Sequence, residues 1–190
     1  MLSKRVTVFK VFLFFLISFL LLSSCNLQSI TYEKKIRYPK QVWTYADSIN
    51  YSFNIVDTAS LYNFELVILH NDWYSFQNLY TKLTTTFPDG KSVSQVVNFD
   101  LAESNGKWEG ERIGSIYKCR TTIQENAFFS LPGKYVLTLS QNTRTDTLYG
   151  IKGFDFRLVK SSVKKSDLKS PPNDDKKITK NAKTKKKKSN

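Results

Sequence analysis

The sequence has 190 residues and a formal net charge of +13, and its excess positive charge lies at the two ends. Residues 1–24 carry three basic side chains, residues 25–160 carry 15 basic and 13 acidic side chains, and residues 161–190 carry 11 lysines and three aspartates. The nearly neutral centre argues against a nucleic-acid partner, and two cysteines, Cys25 and Cys119, are too few for a disulfide framework.

The chain opens with the pattern of a secretory signal peptide. Residues 1–10 contain two lysines and an arginine, and residues 11–22 are almost entirely apolar. This apolar run suits the central region of a signal peptide and falls short of the roughly 20 residues that a transmembrane helix needs. An uncleaved anchor would have to take in Lys10, so we predict a signal peptide over residues 1–24.

The predicted signal peptide leads into Leu22-Ser23-Ser24-Cys25, which resembles the lipoprotein box of bacteria. Small residues before Cys25 admit the backbone to the processing enzymes, and its thiol is the nucleophile that takes the diacylglyceryl group. Two or three acyl chains, palmitate among them, hold a protein stably at a bilayer. We predict a mature chain that begins at Cys25, with a polar tether over residues 25–41. Because no acidic cluster follows Cys25, we expect the outer membrane, facing the periplasm.

From about Val42 the sequence alternates apolar and polar residues with the period of a β-strand. One predicted strand places Ile49, Tyr51, Phe53 and Ile55 on one face. A second places the following residues on one face: Leu79, Thr81, Leu83, Thr85 and Phe87. The run FELVILH at 64–70 is apolar on both faces, which is typical of a central strand.

Turn signals separate the predicted strands. FPDGK at 87–91 predicts a tight hairpin, because Pro fixes φ and Gly accepts positive φ, and LPGKY at 131–135 marks a second turn. The closing stretch, 149–159, directs Phe154, Phe156 and Leu158 inward. Seven or eight short strands without βα alternation predict an all-β fold, a single antiparallel β-sandwich of immunoglobulin-like or jelly-roll-like type over residues 42–160. A closed barrel is the alternative.

The last 30 residues, 161–190, have a different composition. They contain no aromatic residue and few large apolar ones. Such a segment buries too little apolar surface to offset the entropy of ordering, so we predict a disordered basic tail. Its lysines could contact anionic lipid or glycan in a salt-dependent way, or the tail could simply be solvated.

The sequence shows no clear catalytic apparatus, so we predict that the protein is not an enzyme and needs no cofactor. His70 has no second histidine or cysteine at metal-ligand spacing, which argues against a metal site. Glu103, Glu109 and Glu111 could form a carboxylate pair for glycoside hydrolysis, but exposed turn carboxylates are far commoner. We expect Cys119 to be a small, partly buried apolar residue.

Aromatic residues cluster in two predicted loops, as Trp73, Tyr74 and Phe76 in one and Trp108 in the other. They could form a platform for sugar or protein contacts, or they could pack at the rim of a sandwich. We take Trp73, Tyr74 and Trp108 as the candidate interaction surface. A carbohydrate-binding envelope lipoprotein is therefore the alternative function.

Several stretches occur together, in this order, after the lipoprotein box. They are VDT (56–58), LYNFELVILHNDWYSFQNLY (61–80), TTFPDGK (85–91), DLAESNGKWEGERIGSI (100–116), LPGKYVL (131–137) and LYGIKGFDFRL (148–158). As an assembly over roughly residues 43–158 they resemble the gliding motility lipoprotein GldH family. The chain departs from the family pattern at Arg112, where the pattern has glycine, and at Ser115, where it has aspartate.

The resemblance implies an outer-membrane lipoprotein that is required for gliding motility. It further implies a structural or assembly role with other envelope proteins of the gliding machinery and its associated secretion apparatus. The Cys25 lipid would hold the domain at the membrane, while exposed strand edges or the loops of Trp73 and Trp108 contact another component.

Overall fold

The structure, a computed structural model, describes residues 29–167, which form eleven β-strands and one short 3₁₀ turn. The strands, in chain order, are β1 Ile30–Arg37, β2 Val42–Thr44, β3 Ile49–Ile55, β4 Leu61–His70, β5 Asn78–Thr86, β6 Ser92–Asp100, β7 Glu111–Ile113, β8 Ile116–Phe128, β9 Gly133–Gln141, β10 Thr147–Tyr149 and β11 Ile151–Lys160. The 3₁₀ turn is Lys165–Asp167. Within the described range, no helix has the length and apolarity to cross a bilayer.

The strands form a sandwich of two antiparallel sheets, as predicted. A five-stranded sheet has the order β1-β11-β4-β8-β7, a four-stranded sheet has the order β3-β9-β5-β6, and β2 pairs with β10 beside them. Numbered one to eight in chain order, the eight long strands are arranged 1-8-3-6 and 2-7-4-5. This order is that of a jelly roll, which decides between the two sandwich types expected from the sequence.

The core lies between the sheets and is rich in aromatic rings. The predicted inward face of β3 is confirmed, since Ile49, Tyr51, Phe53 and Ile55 are all buried. Phe156 of β11 has its ring centroid 4.8 Å from that of Tyr51 and contacts further rings of both sheets. On β5 the prediction holds for Leu79, Thr81 and Leu83, which are buried, while Thr85 and Phe87 are half-buried near the end of the sandwich.

Strand β4 has apolar residues on both of its faces, as expected for a strand that lies between β11 and β8. Leu66 and Ile68 point into the core, whereas Val67 and Leu69 point outward and are still buried. Their outer-face neighbours across the sheet include the long side chains of Lys118 and Arg120. The aliphatic parts of such side chains can cover apolar surface while the charged heads stay in water.

The predicted hairpin at FPDGK is confirmed. The backbone N–H of Phe87 donates to the carbonyl of Lys91 at 2.8 Å, and Gly90 has φ of 81°. The Asp89 carboxylate accepts from the backbone N–H of Lys91 at 3.1 Å, so each turn residue acts as its type predicts.

The folded unit starts earlier than the expected boundary at Val42. Residues 30–37, predicted as part of a tether, form β1, an edge strand paired with β11. Only Tyr32 and Ile36 of β1 pack against the core, and apart from Ile30 the remaining residues are polar or charged, so the segment has the composition of a linker. Residues 1–28 and 168–190, which include the predicted signal peptide, Cys25 and most of the predicted tail, lie outside the described residues.

Candidate functional site

The sandwich has two ends, which we call the near end and the far end. The near end contains Ser29, where the described chain begins, together with the loops at 56–60 and 87–91. The far end contains the end of β4 at His70 and the long loops at 71–77 and 101–110. All the residues that the sequence predicts as an interaction surface lie at the far end.

The first far-end loop separates two neighbouring aromatic residues. Trp73 is 71% exposed, whereas Tyr74 is only 2% exposed. The Tyr74 hydroxyl donates to the carbonyl of Asn78 at 2.8 Å, so its polar tip is satisfied inside the fold. The prediction that Tyr74 belongs to an exposed surface is therefore wrong, and the neighbouring Phe76, 44% exposed, takes that place.

Asn71 holds this loop in shape. Its backbone N–H donates to the carbonyl of Gly150 at 3.0 Å, and its side-chain oxygen accepts from the backbone N–H of Trp73 at 3.1 Å. Its side-chain nitrogen donates to the amide oxygen of Gln41 at 2.9 Å. Gly150 has φ of 82°, and a Cβ there would lie 2.3 Å from the backbone nitrogen of Tyr74. Only glycine fits this close approach.

Trp108, from the second far-end loop, is half-buried against His70. The ring centroids of Trp108 and His70 are 4.6 Å apart, and Tyr117 and Tyr74 lie 5.4 and 5.9 Å from the histidine ring. Ala102 and Trp108 form an isolated antiparallel bridge that closes the loop. Trp73, Tyr74 and Trp108 thus do not form one exposed platform of the kind that stacks on a sugar, because only Trp73 is freely exposed.

His70 and Cys119 form a buried pair inside this aromatic cluster. The sulfur of Cys119 lies 3.5 Å from Nε2 of His70, and the thiol donates to the carbonyl of Glu109 at 3.0 Å. Burial raises the pKa of the Cys119 thiol to about 11, and burial also lowers the pKa of His70. At neutral pH the thiol is therefore protonated and the imidazole neutral, an arrangement that packs loops together and supplies no thiolate nucleophile.

A cleft of about 360 Å³ opens beside this pair, between the edges of the two sheets. Its lining includes Phe99, Asp100, Cys119 and Arg120. Within residues 29–167 no group of three His, Cys, Asp or Glu side chains is placed to hold a metal ion.

The three glutamates considered as a carboxylate pair, Glu103, Glu109 and Glu111, lie in or next to the second loop and have different local contacts. Glu103 pairs with Lys107 at 3.0 Å, and this hydrogen bond lowers the pKa of the glutamate. The backbone of Glu109 hydrogen-bonds Leu101 and the Cys119 thiol, while Glu111 lies on β7. The Glu103 carboxylate is therefore engaged within its turn, and backbone hydrogen bonds fix the position of Glu109.

Two further apolar residues of the far end escaped sequence reasoning. Tyr149 is 63% exposed beside Gly150, and Ile113 is 46% exposed at the β7–β8 turn. The β7–β8 turn is linked to the first far-end loop by Arg112 and Asp72, whose charged atoms are 4.0 Å apart. Tyr149 and Ile113 lie within stretches that resemble the family, but the three-residue strands that carry them are too short to show a period and hence which side chains are exposed.

Comparison with known proteins gives one family. A sequence model described as GldH lipoprotein matches residues 30–158. The curated protein named "Gliding motility lipoprotein GldH homolog" of Christiangramia forsetii is 28% identical over 160 residues, which cover 80% of this chain and 96% of that protein.

Solved structures give only distant likenesses. A chain from the structure of the infectious bursal disease virus Gx strain has a TM-score of 0.29 and 14% identity, covering 74% of this chain and 31% of that one. This chain thus spans about a third of the viral chain. A family 35 carbohydrate binding module from Clostridium thermocellum has a TM-score of 0.24 and 12% identity, covering 62% of this chain and 95% of that one. Neither likeness is close enough to bear on function.

Proposed function

Because this chain belongs to the GldH lipoprotein family, we propose that it serves gliding motility as a non-enzymatic lipoprotein of the outer membrane, facing the periplasm. The observation that carries the proposal is the extent of the family match, which runs from the first residue of β1 to within two residues of the end of β11. The relationship therefore concerns the whole jelly roll and no isolated motif. Membership of a lipoprotein family places the chain in the cell envelope, held by lipid.

The predicted anchor lies close to one end of the domain. Cys25 is four residues before Ser29, a contour of at most about 14 Å. Ser29 lies at the near end, where its carbonyl accepts from the backbone N–H of Lys160 at 2.9 Å. An acylated Cys25 would thus hold the near end against the bilayer. Residues 161–190, with their 11 lysines, leave the domain at this same end, where anionic headgroups would attract them.

The far end would then project away from the membrane. The ten residues of β11 span about 30 Å, so Trp73, Phe76 and Tyr149 lie that far from the near end. Exposed aromatic side chains are enriched where proteins bind one another. We therefore propose that the far end contacts another envelope protein of the gliding machinery or its secretion apparatus.

The chemistry of the far end supports a binding role over a catalytic one. The Cys119 thiol is held protonated beside a neutral His70, and Glu103 is engaged by Lys107. A hydrolase would need an acid and a base free to meet a substrate.

Spreading of cells on agar tests the proposal. We expect that deletion of the gene abolishes spreading, and that Cys25→Ala is nearly as severe, because the domain is no longer held at the membrane. Variants Glu109→Gln and Glu111→Gln should spread like the wild type at equal protein level. Normal spreading of the deletion strain would refute a role in gliding, and loss with either glutamine variant would refute the non-enzymatic role.

A further inference from the structure

The sandwich has four strand edges, and three of them are protected against pairing with another chain. β1 carries Glu33, Lys34, Lys35 and Arg37 along a strand whose register with β11 shifts between Ile30 and Tyr32. Charged side chains and bulges of this kind prevent a strand from being added at an edge.

The β3 edge is covered by side chains of β1. Lys34 donates from Nζ to the carbonyl of Asn50 at 2.8 Å, and the ring of Tyr32 packs against Phe53 with centroids 5.6 Å apart. One of the backbone groups that another strand would need is thus already in use, and the side chains of β1 lie over this edge.

The β7–β8 edge is protected by shortness, charge and irregularity. β7 has only three residues, and β8 carries Arg120 and Glu125 with two register shifts where it pairs with β4. Such a strand does not present a regular row of backbone groups.

β6 is different from the other three. It reads SVSQVVNFD, with no proline, no lysine and one charged residue, Asp100, at its end. Its nine residues pair with β5 without a register shift, and Val93 and Val96 are 61% and 59% exposed. Within the described chain, no side chain hydrogen-bonds the backbone groups that β6 directs away from β5.

The hydrogen bonds of the hairpin identify those outward groups. Phe87 donates to Lys91, so the pairs that bond β5 to β6 are at odd-numbered residues, and Tyr80 accepts from Asn142 on the opposite side of β5. The outward N–H and C=O groups of β6 therefore belong to even-numbered residues, which are Ser92, Ser94, Val96, Asn98 and Asp100.

We propose that β6 pairs with β6 of a second copy of this chain, antiparallel about a two-fold axis at Val96. This register places Val96 opposite itself, Ser94 opposite Asn98 and Ser92 opposite Asp100. The apolar residue meets an apolar one, each amide or carboxylate meets a hydroxyl, and the strand's single charge faces no like charge. All outward backbone groups of β6 would be paired, and the two four-stranded sheets would become one continuous sheet.

This interface is separate from the far-end aromatic residues and does not depend on the proposed role in gliding. Because the two β6 strands run antiparallel, the near end of each copy lies beside the far end of its partner. The pair would therefore hold its two anchors at opposite ends, and both could reach one bilayer only with the strands lying along the membrane, unlike the upright orientation proposed for a single copy.

Co-purification of two differently tagged full-length copies, solubilised from membranes in mild detergent, tests the proposal. We expect wild-type copies to co-purify, and Val96→Lys with itself and Val96→Glu with itself to lose at least about ten-fold, because like charges meet at the axis. Val96→Lys mixed with Val96→Glu should recover co-purification. Ser52→Lys, at the opposite edge of the same sheet, is the matched control and should co-purify like the wild type.

Thermal unfolding of each variant keeps the result interpretable, since an exposed edge position should leave stability nearly unchanged. Recovery in the mixed pair supports a two-fold contact centred on residue 96, as the β6–β6 register requires. Failure of wild-type copies to co-purify, an undiminished Val96→Lys pair, or an equal loss with Ser52→Lys would overturn the proposal.

Discussion

The two ends of the jelly roll use different interactions. At the near end a short turn is held by exposed polar contacts, since the Asp57 carboxylate accepts from Ser60 and pairs with Lys160 at 2.7 Å. At the far end long loops are held by buried rings around His70, with Tyr74 and Trp108 beside it.

The difference shows how the far end combines packed loops with exposed aromatic side chains. Its aromatic residues fall into a buried set that fixes the loops and a more exposed set, Trp73, Phe76 and Tyr149. A surface held by packed rings stays ordered without using its exposed side chains, which favours binding because little entropy is lost on contact.

The largest expected difference is between two adjacent far-end residues. Tyr74→Ala should lower the free energy of unfolding by about 3–5 kcal/mol, because it leaves a cavity in the ring cluster. Trp73→Ala should change it by no more than about 0.5 kcal/mol, because the indole is mostly in solvent. Urea unfolding measures both, and equal losses would show that the division into buried and exposed sets is false.

Alanine substitutions at two glycines with nearly the same backbone conformation allow the packing at the two ends to be compared. Gly150 at the far end and Gly90 at the near end have φ of 82° and 81°, but only Gly150 lacks room for a Cβ. We expect Gly150→Ala to cost about 2–4 kcal/mol, from strain plus overpacking, and Gly90→Ala about 1 kcal/mol, from strain alone. A smaller loss at Gly150 in chemical denaturation would contradict the close approach of Gly150 to Tyr74.

The exposed set can be tested without disturbing the fold. The double variant Trp73→Ala, Phe76→Ala should reduce spreading on agar, while its thermal stability falls only slightly through loss of the ring contact between Phe76 and Tyr74. Val56→Ala is the near-end control, because Val56 is 81% exposed and distant from the far end. Equal spreading of all three strains would remove the far end as a contact surface.

Acid should weaken the two ends in different pH ranges. Burial lowers the pKa of His70 below 6.5, so the unfolded chain binds the proton more readily and stability falls as pH drops below about 6.5. The hydrogen bond from Lys160 lowers the pKa of Asp57 below 3.8, so its contribution is present above that value and is lost only in stronger acid. The negative charge of Asp72 raises the pKa of His70, but this effect is smaller than the lowering by burial.

Thermal unfolding from about pH 7.5 to pH 3 separates these ranges. His70→Phe should reduce the loss of stability that begins near pH 6.5 and leave the loss below pH 3.8 unchanged. Asp57→Asn should reduce the loss below pH 3.8 and leave the loss near pH 6.5 unchanged. If the loss of stability near pH 6.5 is unchanged in His70→Phe, a titratable group other than His70 causes it.

Local signals sufficed for much of the fold. The period-two pattern of β3 and the turn chemistry of FPDGK depend on neighbours in sequence, and both are confirmed. β1 was missed because an edge strand buries one side only, and its charged residues give TYEKKIR the composition of a linker. The order of the strands in the jelly roll could not be predicted, because the sequence of a single strand does not show which distant strand it pairs with.

The candidate site was less predictable than the fold. Nothing in NDWYSF states which of Trp73 and Tyr74 is buried, since the answer depends on Gly150, some 75 residues later. His70 and Cys119 likewise meet only through the pairing of β4 with β8, which sets Ile68 opposite Cys119. Whether a loop side chain is exposed depends on tertiary contacts. The aromatic content of the loops therefore predicted where the candidate surface lies, but not which of its residues are exposed.

The most direct test of the far-end contact is photo-crosslinking in intact cells. A photoreactive residue replaces Phe76 at the far end or Val56 at the near end, each in the chain with Cys25 intact and in the Cys25→Ala chain. We predict adducts with a distinct envelope protein from position 76, far fewer from position 56, and none from position 76 without Cys25. Adducts from position 56 alone, or equal adducts from position 76 without the anchor, would contradict a lipid-anchored domain that works through its far end.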